Sequence, residues 1–513
     1  MKLLNFGNSL SFKSFTESFL TRVILIFCVI PVFVLSQTDD INQPLKTVEL
    51  SIDQIKSDMH AGLEYLRLSQ QKFTDGTKYY KGEWPIYICL RKPFKLQGRS
   101  RFYDSNSFGV IPIHNSLSEI YLQYTEYDSI VTMLEKSMRH IRTFMTDSSQ
   151  TFGFWQSLPP GKKLSRHVKQ DWQVLIKRPN HFPLRTKFTN NFVNVFDDSD
   201  DQALAFQSML HYNQVMELAG LPDQIMEIPD SIPLFFEKYR DINRSNILFY
   251  NLKNGTGFNT GAFLTWFGNE YAFKNPKGML YYLNNLFWYL PVSCLHTDDY
   301  LPHIPFATND VDVVVNANIL TTLADFNLLD STEGVDEAFE LIDKKIIEED
   351  FQKASMYYPN RYQLHYAVSR IFEASHGEYP GESSKWLIAD LKSTQNEDGS
   401  WTCKRKSRED DNIQSTVNAL LALLNFDDYE KNNTIENIHK AVVFLHQKAT
   451  RKDSLIYWKG GVFFCGGMHI RYVVSWKSDA YTTALVLEAF AKYRTILEQK
   501  SNIILPLTDF IQN

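Results

Sequence analysis

Residues 197–216 read DDSDDQALAFQSMLHYNQVM, and this stretch carries the pattern that decides the fold. Its four aspartates, at positions 197, 198, 200 and 201, precede a run rich in Ala, Leu and Met that has the length of a helix rather than of a strand. Acidic residues suit this place because the first turn of a helix is electropositive. Apolar residues occupy most faces of the run, so we expect a helix that is buried on more than one side.

The same arrangement, acidic residues followed by a small and aliphatic run, recurs in three later stretches. They are VVVNANILTTLADF after Asp310 and Asp312, NIQSTVNALLALLNF after Asp410 and Asp411, and AYTTALVLEAFAKY after Asp479. Other helix-like segments lie between them, and we see no run of alternating strands. Helical hairpins that each contain one buried helix indicate an all-α fold, an (α/α) toroid or barrel of repeated hairpins.

A second repeated element is a glutamine followed by a Gly-aromatic turn. Gln395, Gly399 and Trp401 form the clearest copy, residues 150–155 form a shortened copy, and Gln71 with Asp75-Gly76 forms a fainter one. The glycine supplies the turn conformation. We therefore expect the tryptophan to pack over the end of a helix.

These two motifs together resemble those of a known superfamily. The turn from Gln395 to Trp401 matches the core of the QW motif of squalene and oxidosqualene cyclases. Residues 198–203, DSDDQA, resemble the Asp-x-Asp-Asp-(Thr/Ser)-Ala signature of class II terpene cyclases. The similarity to this terpene cyclase and prenyltransferase superfamily covers residues 190–495.

The resemblance implies an α/α toroid that needs no cofactor and folds a hydrophobic isoprenoid small molecule in its cavity. The acid that protonates the substrate maps to Asp200, and Asp198 and Asp201 map to neighbours that tune it. Gln202 stands where the family has a hydroxyl residue. The chemistry of the residues agrees, because clustered carboxylates cannot all ionise cheaply and one of them keeps a proton to donate.

Further residues are candidates for the substrate cavity. Aromatic faces stabilise carbocations, which makes large aromatic residues candidates by type. These aromatic candidates are Phe206, Trp266, Phe267, Trp476 and Tyr481, and the polar candidates at the start of an acid-led helix are Asp310, Asp312 and Asn316. Asn309, Asn316 and Asn318 either line the cavity or bond to neighbouring helix ends, since buried amides need partners.

The aspartate run has two other interpretations. Asp197, Asp198 and Asp201 have the Asp-Asp-x-x-Asp spacing of class I synthases, which bind Mg²⁺ through oxygen ligands. Alternatively, the aspartates only cap a helix on a solvated turn. Residues 296–303 contain two His and two Asp that could hold a metal or form an ordinary polar loop, and we expect the loop.

An apolar run of 13 residues, 23–35, follows Arg22 near the start of the chain. It is short for a membrane anchor, so we expect residues 1–36 to be a signal peptide, with an uncleaved signal anchor as the alternative. The protein is then secreted or lumenal. Residues 37–190 form an N-terminal helical region that is either an extra layer or part of the same toroid, and residues 191–513 form the toroid domain.

Entry into the secretory route would expose the chain to glycosylation and to disulfide formation. Asn243, Asn254 and Asn432 begin glycosylation sequons and would lie in exposed loops. Four cysteines remain after residue 36, and they form up to two disulfides or stay as thiols.

The composition narrows the function classes. Net charge is −6, which gives no indication of nucleic-acid binding. We expect an enzyme of the class II terpene cyclase type, which is an isomerase or lyase. Association with a membrane surface is compatible with this expectation. The alternatives are a secreted α/α-barrel glycoside hydrolase or lyase and a non-catalytic toroid module, because fold alone does not fix function.

Overall fold

A computed structural model of the chain defines the fold. It describes residues 50–72, 80–91, 95–96, 98–146, 148–158, 176–179, 181–183, 193–244, 259–268, 302, 304, 309–348, 351, 355–379, 381–403, 408–426, 429, 431–467 and 473–509.

Helices account for most of the described residues. In chain order they are α1 (Ile52–Ser69), α2 (Ser107–Gln123), α3 (Ser129–Ile141), α4 (Ser199–Leu218), α5 (Ile232–Glu237), α6 (Val313–Asp325), α7 (Val335–Ile347), α8 (Tyr362–Ala374), α9 (Glu382–Thr394), α10 (Glu409–Asn425), α11 (Ile435–Lys448) and α12 (Asp479–Asp509). Short 3₁₀ turns span Arg142–Phe144, Pro222–Gln224 and Leu329–Ser331.

Six of the described helices form a closed inner ring. Going round it, α2 contacts α4, and α6, α8, α10 and α12 follow in order until α12 contacts α2 again. Other helices pack outside, with α1 against α12, α3 against α2 and α4, α7 against α6, and α11 against α10. This alternation of inner and outer helices is the predicted (α/α) toroid, so the fold class is confirmed. Helix α2, which lies before residue 190, is a member of the ring.

The inner helices run parallel to one another. Between α2 and α4, Ser107 at the start of α2 donates to Asp201 (2.6 Å), and Ser208 donates to Asn115 (2.7 Å) further along both helices. The same order holds in the pairs Asn418–Gln363, Asn425–Ser369, Ser116–Glu488 and Tyr124–Thr495. All six helix N-termini therefore lie at one end of the ring.

Short strands cover that end. They are β1 (Ile86–Leu90), β2 (Arg101–Asp104), β3 (Met145–Thr146), β4 (Thr151–Phe152), β5 (Ser157–Leu158), β6 (Ile176–Lys177), β7 (Thr450–Lys452), β8 (Leu455–Tyr457), β9 (Val462–Cys465) and β10 (Val474–Lys477). One antiparallel sheet has the order β2-β1-β10-β9, and the other strands pair in sequence as hairpins. In this sheet Trp476 lies opposite Ile88 on one side and Phe464 on the other. The sequence pattern did not indicate this sheet, whose strands come from distant parts of the chain.

The turn from Gln395 to Trp401 packs as expected. The Gln395 amide donates to the carbonyls of Gly399 (3.0 Å) and Asn437 (2.9 Å). Trp401 is fully buried, and its indole donates to the carbonyl of Leu391 (3.0 Å) near the end of α9. The tryptophan thus supplies a hydrogen bond that the last turn of a helix lacks.

A second copy of this turn is built from Gln70, Gly82 and Trp84. The Gln70 amide donates to the carbonyls of Gly82 (3.1 Å) and Met133 (2.9 Å), and the Trp84 indole donates to the carbonyl of Leu66 (2.9 Å) in α1. An insertion between the glutamine and the glycine conceals this copy in the sequence. The true partner is therefore Gln70, and not Gln71 as the sequence suggested; Asp75-Gly76 lies outside the described residues.

Glycine is required at the equivalent point of both copies. Gly399 and Gly82 have left-handed φ angles of +84° and +101°. A Cβ atom would lie 2.3 Å from the carbonyl oxygen of Lys440 at the first and 2.1 Å from that of Lys136 at the second. No larger residue fits such a contact without moving the backbone.

Residues 150–155 are not a third copy, which corrects the sequence interpretation. The indole of Trp155 points to the Asp104 carboxylate (3.3 Å) rather than to a helix carbonyl. A tryptophan without the glutamine signature, Trp458, has the expected contact instead, since its indole donates to the carbonyl of Leu445 (2.6 Å) in α11.

Other sequence predictions fall partly on described residues. Asn243 is exposed and Asn432 is half-buried, whereas Asn254 lies outside the described residues. So do the signal segment 1–36, Cys294 and most of residues 296–303. Cys89, Cys403 and Cys465 are not joined to one another. Within the described part of the chain, the helices are too short or too polar to cross a membrane.

Candidate functional site

The aspartate cluster forms the first turn of inner helix α4. Asp198 is the N-cap residue, and its carboxylate accepts a hydrogen bond from the backbone N–H of Asp201 (2.8 Å). Ser199 donates to the carbonyl of Leu264 (2.7 Å), which fixes the turn against a neighbouring segment. All the acids are buried, so this is not a solvated turn.

Asp200 contacts two residues that line the centre of the ring, Asn318 and Tyr358. Its carboxylate oxygens accept hydrogen bonds from Asn318 Nδ2 (2.7 Å) and from the Tyr358 hydroxyl (2.5 Å). The residue is only 5% exposed, and burial raises the pKa of its carboxyl to about 7. Asp200 can therefore hold or release a proton near neutral pH.

Asp198 and Asp201 form a coupled pair beside it. Burial raises the pKa of Asp198 well above its ordinary value, and the charge of Asp201 adds to this effect. Burial also raises the pKa of Asp201 to about 6, against the hydrogen bond from Ser107. Two carboxyl groups so close together cannot both ionise easily, so Asp198 keeps the proton longer.

Asp197 faces away from this pair. Its carboxylate contacts Lys177 and accepts hydrogen bonds from Thr151 (2.7 Å) and Thr146 (3.1 Å). Among the residues that the structure describes, no three acidic, histidine or cysteine side chains are grouped as metal ligands would be. The three acids with the Asp-Asp-x-x-Asp spacing are therefore not brought together as one set of ligands.

Aromatic side chains surround the Asp200 end of the ring. The ring of Phe108 lies 5.5 Å from that of Tyr358 and 4.8 Å from that of Phe464 in strand β9. Phe464 also packs edge-to-face on Trp476, with 5.5 Å between ring centroids. Together the sheet and these rings close this end of the toroid.

An axial cavity begins beside Asp200 and runs along the inner helices. Its lining residues are Phe108, Pro112, Asn115, Ser116, Glu119, Leu204, Gln207, His211, Asn318, Thr321, Asp325, Tyr358, Gln363, Tyr366, Arg370, Glu373, Ala374, Tyr481, Leu485 and Glu488. Its volume is about 170 Å³, close to the roughly 150 Å³ that accommodates one benzene ring. A larger ligand requires lining side chains to move.

A network of hydrogen bonds crosses the cavity and reaches Asp200. The Arg370 guanidinium donates to the side-chain carbonyl oxygen of Asn318 (3.2 Å) and also to that of Gln207. Gln207 in turn donates to Asp325 (2.6 Å). Because Asn318 donates to Asp200 through its other atom, Arg370 stabilises the ionised form of Asp200 through one amide.

Of the predicted cavity residues, Tyr481 lines the axial cavity. The Trp476 indole donates instead to the Asp104 carboxylate (2.7 Å). The Trp266 indole contacts Asp310 (3.3 Å), which also accepts a hydrogen bond from Tyr357 (2.8 Å).

Two of the three asparagines near Asp310 bind backbone, and one faces the cavity. The Asn316 side chain accepts a hydrogen bond from the backbone N–H of Phe263 and donates one to the Phe263 carbonyl (both 3.0 Å). The Asn309 side chain binds the backbone N–H (3.0 Å) and carbonyl (2.7 Å) of Trp266 in the same way. Asn318 alone of the three lines the cavity. Both alternatives for these amides therefore occur, at different positions.

The acids that begin the other inner helices lie at the same end as Asp200, where they anchor loops. Asp312 caps α6 and accepts from the N–H of Met356 (2.6 Å). Asp479 accepts from the N–H of Gly460 (2.8 Å), and Asp410 pairs with Lys477 (2.5 Å). Burial raises the pKa of Asp312 to about 7.

Sequence reasoning missed several residues of the site. Tyr358 donates a hydrogen bond to Asp200, and Arg370 is the cation at the centre of the cavity. Glu488 is a further buried carboxyl group of the cavity, and burial raises its pKa to about 7. A detectable signal was the presence of two charged residues, Arg370 and Glu373, in a helix with many buried residues. Tyr358 precedes its helix, and no local pattern marks it.

No family model and no curated protein matches the chain. Among solved structures, it is similar to a variant of type II terpene cyclase MstE from Scytonema in complex with its substrate geranylgeranyl dihydroxybenzoate (9% identity, 86% of this chain and 98% of that chain, TM-score 0.49). It is also similar to the apo form of MstE (9%, 87% and 99%, 0.46). It is also similar to cellobiose 2-epimerase from Spirochaeta thermophila (12%, 87% and 98%, 0.44).

At identities of 9–12% the likeness concerns the fold alone.

Proposed function

We propose that this protein is an enzyme in which the Asp200 carboxylic acid protonates an unsaturated isoprenoid and so starts its cyclisation. The observation that carries this proposal is the burial of Asp200 at an aromatic end of the axial cavity, with a pKa of about 7. A carboxylic acid there remains protonated in a large fraction of molecules at neutral pH. It is also shielded from bulk water, which would otherwise quench a carbocation.

The residues around Asp200 suit both halves of a proton transfer. When the proton moves from Asp200 to an alkene carbon, a carbocation forms on the substrate and a carboxylate remains. Asn318 and Tyr358 then hold the carboxylate by two hydrogen bonds. The aromatic rings of Phe108, Tyr358 and Tyr481 line the cavity and offer cation–π attraction to the positive charge. Loss of a proton from the cyclised cation completes an isomerisation.

The test is turnover of an isoprenoid panel by the purified chain. Squalene, oxidosqualene, farnesyl diphosphate and geranylgeranyl diphosphate are incubated with the protein, and products are identified by mass spectrometry. We expect a cyclised product with the wild type, its loss with Asp200→Asn, and its retention with Asp230→Asn, a change at an exposed aspartate. Formation of no cyclised product, or full turnover by Asp200→Asn, contradicts the proposal.

The polar lining of the cavity favours a second candidate function. Amide and carboxyl side chains such as Asn115, Gln207 and Glu488 lie beside the flat ring of Tyr366. Sugars bind to such combinations, because their hydroxyl groups need hydrogen bonds and their C–H faces pack on aromatic rings. The volume of about 170 Å³ also suits a small polar ring better than a long chain.

Under this second candidate, Asp200 is the general acid or base in the conversion of a saccharide. A panel of disaccharides and monosaccharides, analysed for hydrolysis and epimerisation by chromatography, distinguishes it from cyclisation. Conversion of a sugar that Asp200→Asn abolishes supports this candidate. If none of the sugars is converted and cyclised isoprenoid products form, this second candidate is excluded.

A further inference from the structure

The axial cavity changes character along its length. At the N-terminal ends of the inner helices, Phe108 and Tyr481 face it beside Asp200. At the C-terminal ends, its walls carry ionisable side chains instead, namely Glu119, His211, Asp325, Arg370 and Glu373. Asp200 and His211 are 11 residues apart on α4, which corresponds to about 16 Å at the helical rise.

Acidic groups outnumber basic ones at the C-terminal end. Asp325 is the last residue of α6, and Glu373 lies one residue before the end of α8. Helix C-termini carry partial negative charge, so acids are unfavourable there unless something else offsets them. Lys492 pairs with Glu373, whereas the hydrogen bond that Asp325 accepts comes from the neutral amide of Gln207, with Arg370 and His211 nearby. Three acids, Glu119, Asp325 and Glu373, thus stand against two cations, Arg370 and Lys492, and this surplus makes the end electronegative.

His211 supplies an independent sign of a ligand. It is 7% exposed and lines the cavity, and within the described residues its Nδ1 has no hydrogen-bond partner. Its Nε2 lies 3.5 Å from the Glu119 carboxylate. With the proton on Nε2, Nδ1 is an acceptor. The walls then present three acceptors, the carboxylates of Glu119 and Asp325 and the imidazole of His211, to any group that enters.

We propose that this end of the cavity binds a protonated amine on the substrate and rejects phosphate groups. An ammonium group offers three N–H donors and a positive charge, which match the acceptors and the potential of this end. A diphosphate would meet carboxylates and helix C-termini, both of which repel it. The inference deepens the proposed function and rests on it for the identity of the reacting end, which lies next to Asp200.

The test compares three ligands that share a fifteen-carbon chain. Farnesylamine, farnesol and farnesyl diphosphate are titrated into the full chain by calorimetry at neutral pH and low salt. We expect the amine to bind at least tenfold more tightly than the diphosphate, with the alcohol between them. Equal or tighter binding of the diphosphate overturns the inference, as does absence of amine binding.

Paired variants separate the cavity from general surface charge. Glu119→Gln with Asp325→Asn is expected to remove the preference for the amine. Glu382→Gln with Glu436→Gln removes the same charge from exposed helix surfaces and is expected to preserve it. A preference that survives the first pair, or that both pairs reduce equally, contradicts a site at this end.

The outcomes also separate this inference from the proposed function. A cyclised product from farnesyl diphosphate supports the function and overturns the inference. A clear amine preference with no product from any isoprenoid supports the inference and overturns the function. The Asp200→Asn variant should keep the amine preference, because Asp200 lies at the other end of the cavity.

Discussion

The two ends of the axial cavity place carboxyl groups in opposite surroundings. At the closed end, Asp200 is 5% exposed and lies beneath aromatic rings and a small sheet. At the open end, the side chains of Glu119 and Glu373 are 32% and 46% exposed. Desolvation penalises the charged form only where water is excluded. Acids at opposite ends of the inner helices thus suit proton donation at one end and ligand binding at the other.

The sharpest test of this comparison exchanges one acid at each end for its amide. Asp200→Asn is expected to lower kcat by about a hundredfold to ten-thousandfold, the range for loss of a general acid. Asp325→Asn is expected to raise KM and to change kcat by less than about threefold, since it would remove only binding. Steady-state kinetics on the substrate found in the panel measures both. Similar losses of kcat in the two variants would show that the ends do not differ in role.

Stability should separate the ends in the same direction. Phe108 and Glu119 lie on the same helix, α2, and only the first is buried among aromatic rings. Phe108→Ala is expected to lower the free energy of unfolding by roughly 3–5 kcal/mol because it leaves a cavity. Glu119→Gln should change it by less than about 0.5 kcal/mol. Urea unfolding measures both, and equal effects would place Glu119 in the core.

The pattern of acids followed by aliphatic runs was sufficient to predict the inner helices. A run such as 313–326 reads as a helix buried on most faces, and α6 is one. The sheet was not predictable, because β1 and β10 pair across almost the whole chain and each has five residues or fewer. Local patterns cannot reveal such distant pairing.

The site was predictable only in part, for a similar reason. Asp200 stands out because four aspartates in five positions exceed what helix capping requires. Its partners Asn318 and Tyr358 come from other repeats, 118 and 158 residues away. Trp266 and Trp476 were reasonable cavity candidates by type, yet their indoles bind Asp310 and Asp104.

The pH dependence of stability isolates the closed end further. The pKa of Asp200 is about 7 in the folded protein and near 3.8 when unfolded. Between about pH 4 and pH 7 the folded state binds more protons, so stability falls as pH rises and this loss is complete above pH 7. Asp200→Asn removes this loss of stability. The free energy of unfolding of the variant minus that of the wild type should therefore rise by roughly 4 kcal/mol between pH 4 and pH 7.

Asp312 and Glu488 act in the same direction but are present in both proteins, so they cancel in the difference. Chemical unfolding of both proteins at several pH values provides the measurement. Parallel curves for the two proteins would mean that Asp200 ionises normally in the fold.

The smallest expected effect concerns the hydroxyl group that binds Asp200. Tyr358 donates to the carboxylate and so lowers its pKa against burial. Tyr358→Phe keeps the ring and is expected to raise the midpoint of the acid-dependent activity by about 1–2 units, the worth of a hydrogen bond to a charged group. Tyr366→Phe, at another ring of the cavity, should leave the midpoint unchanged. A pH profile of turnover that is identical in both variants would contradict this role of Tyr358.

The most direct measurement is the titration of the Asp200 carboxyl itself, which needs no knowledge of the substrate. Infrared difference spectra of wild type and Asp200→Asn across the pH range isolate the signal of its protonated carboxylic acid. The account predicts that this signal persists through mildly acidic pH and disappears with a midpoint near 7. A carboxyl that is already ionised at pH 5 would contradict the claim that this end of the toroid keeps a proton to donate.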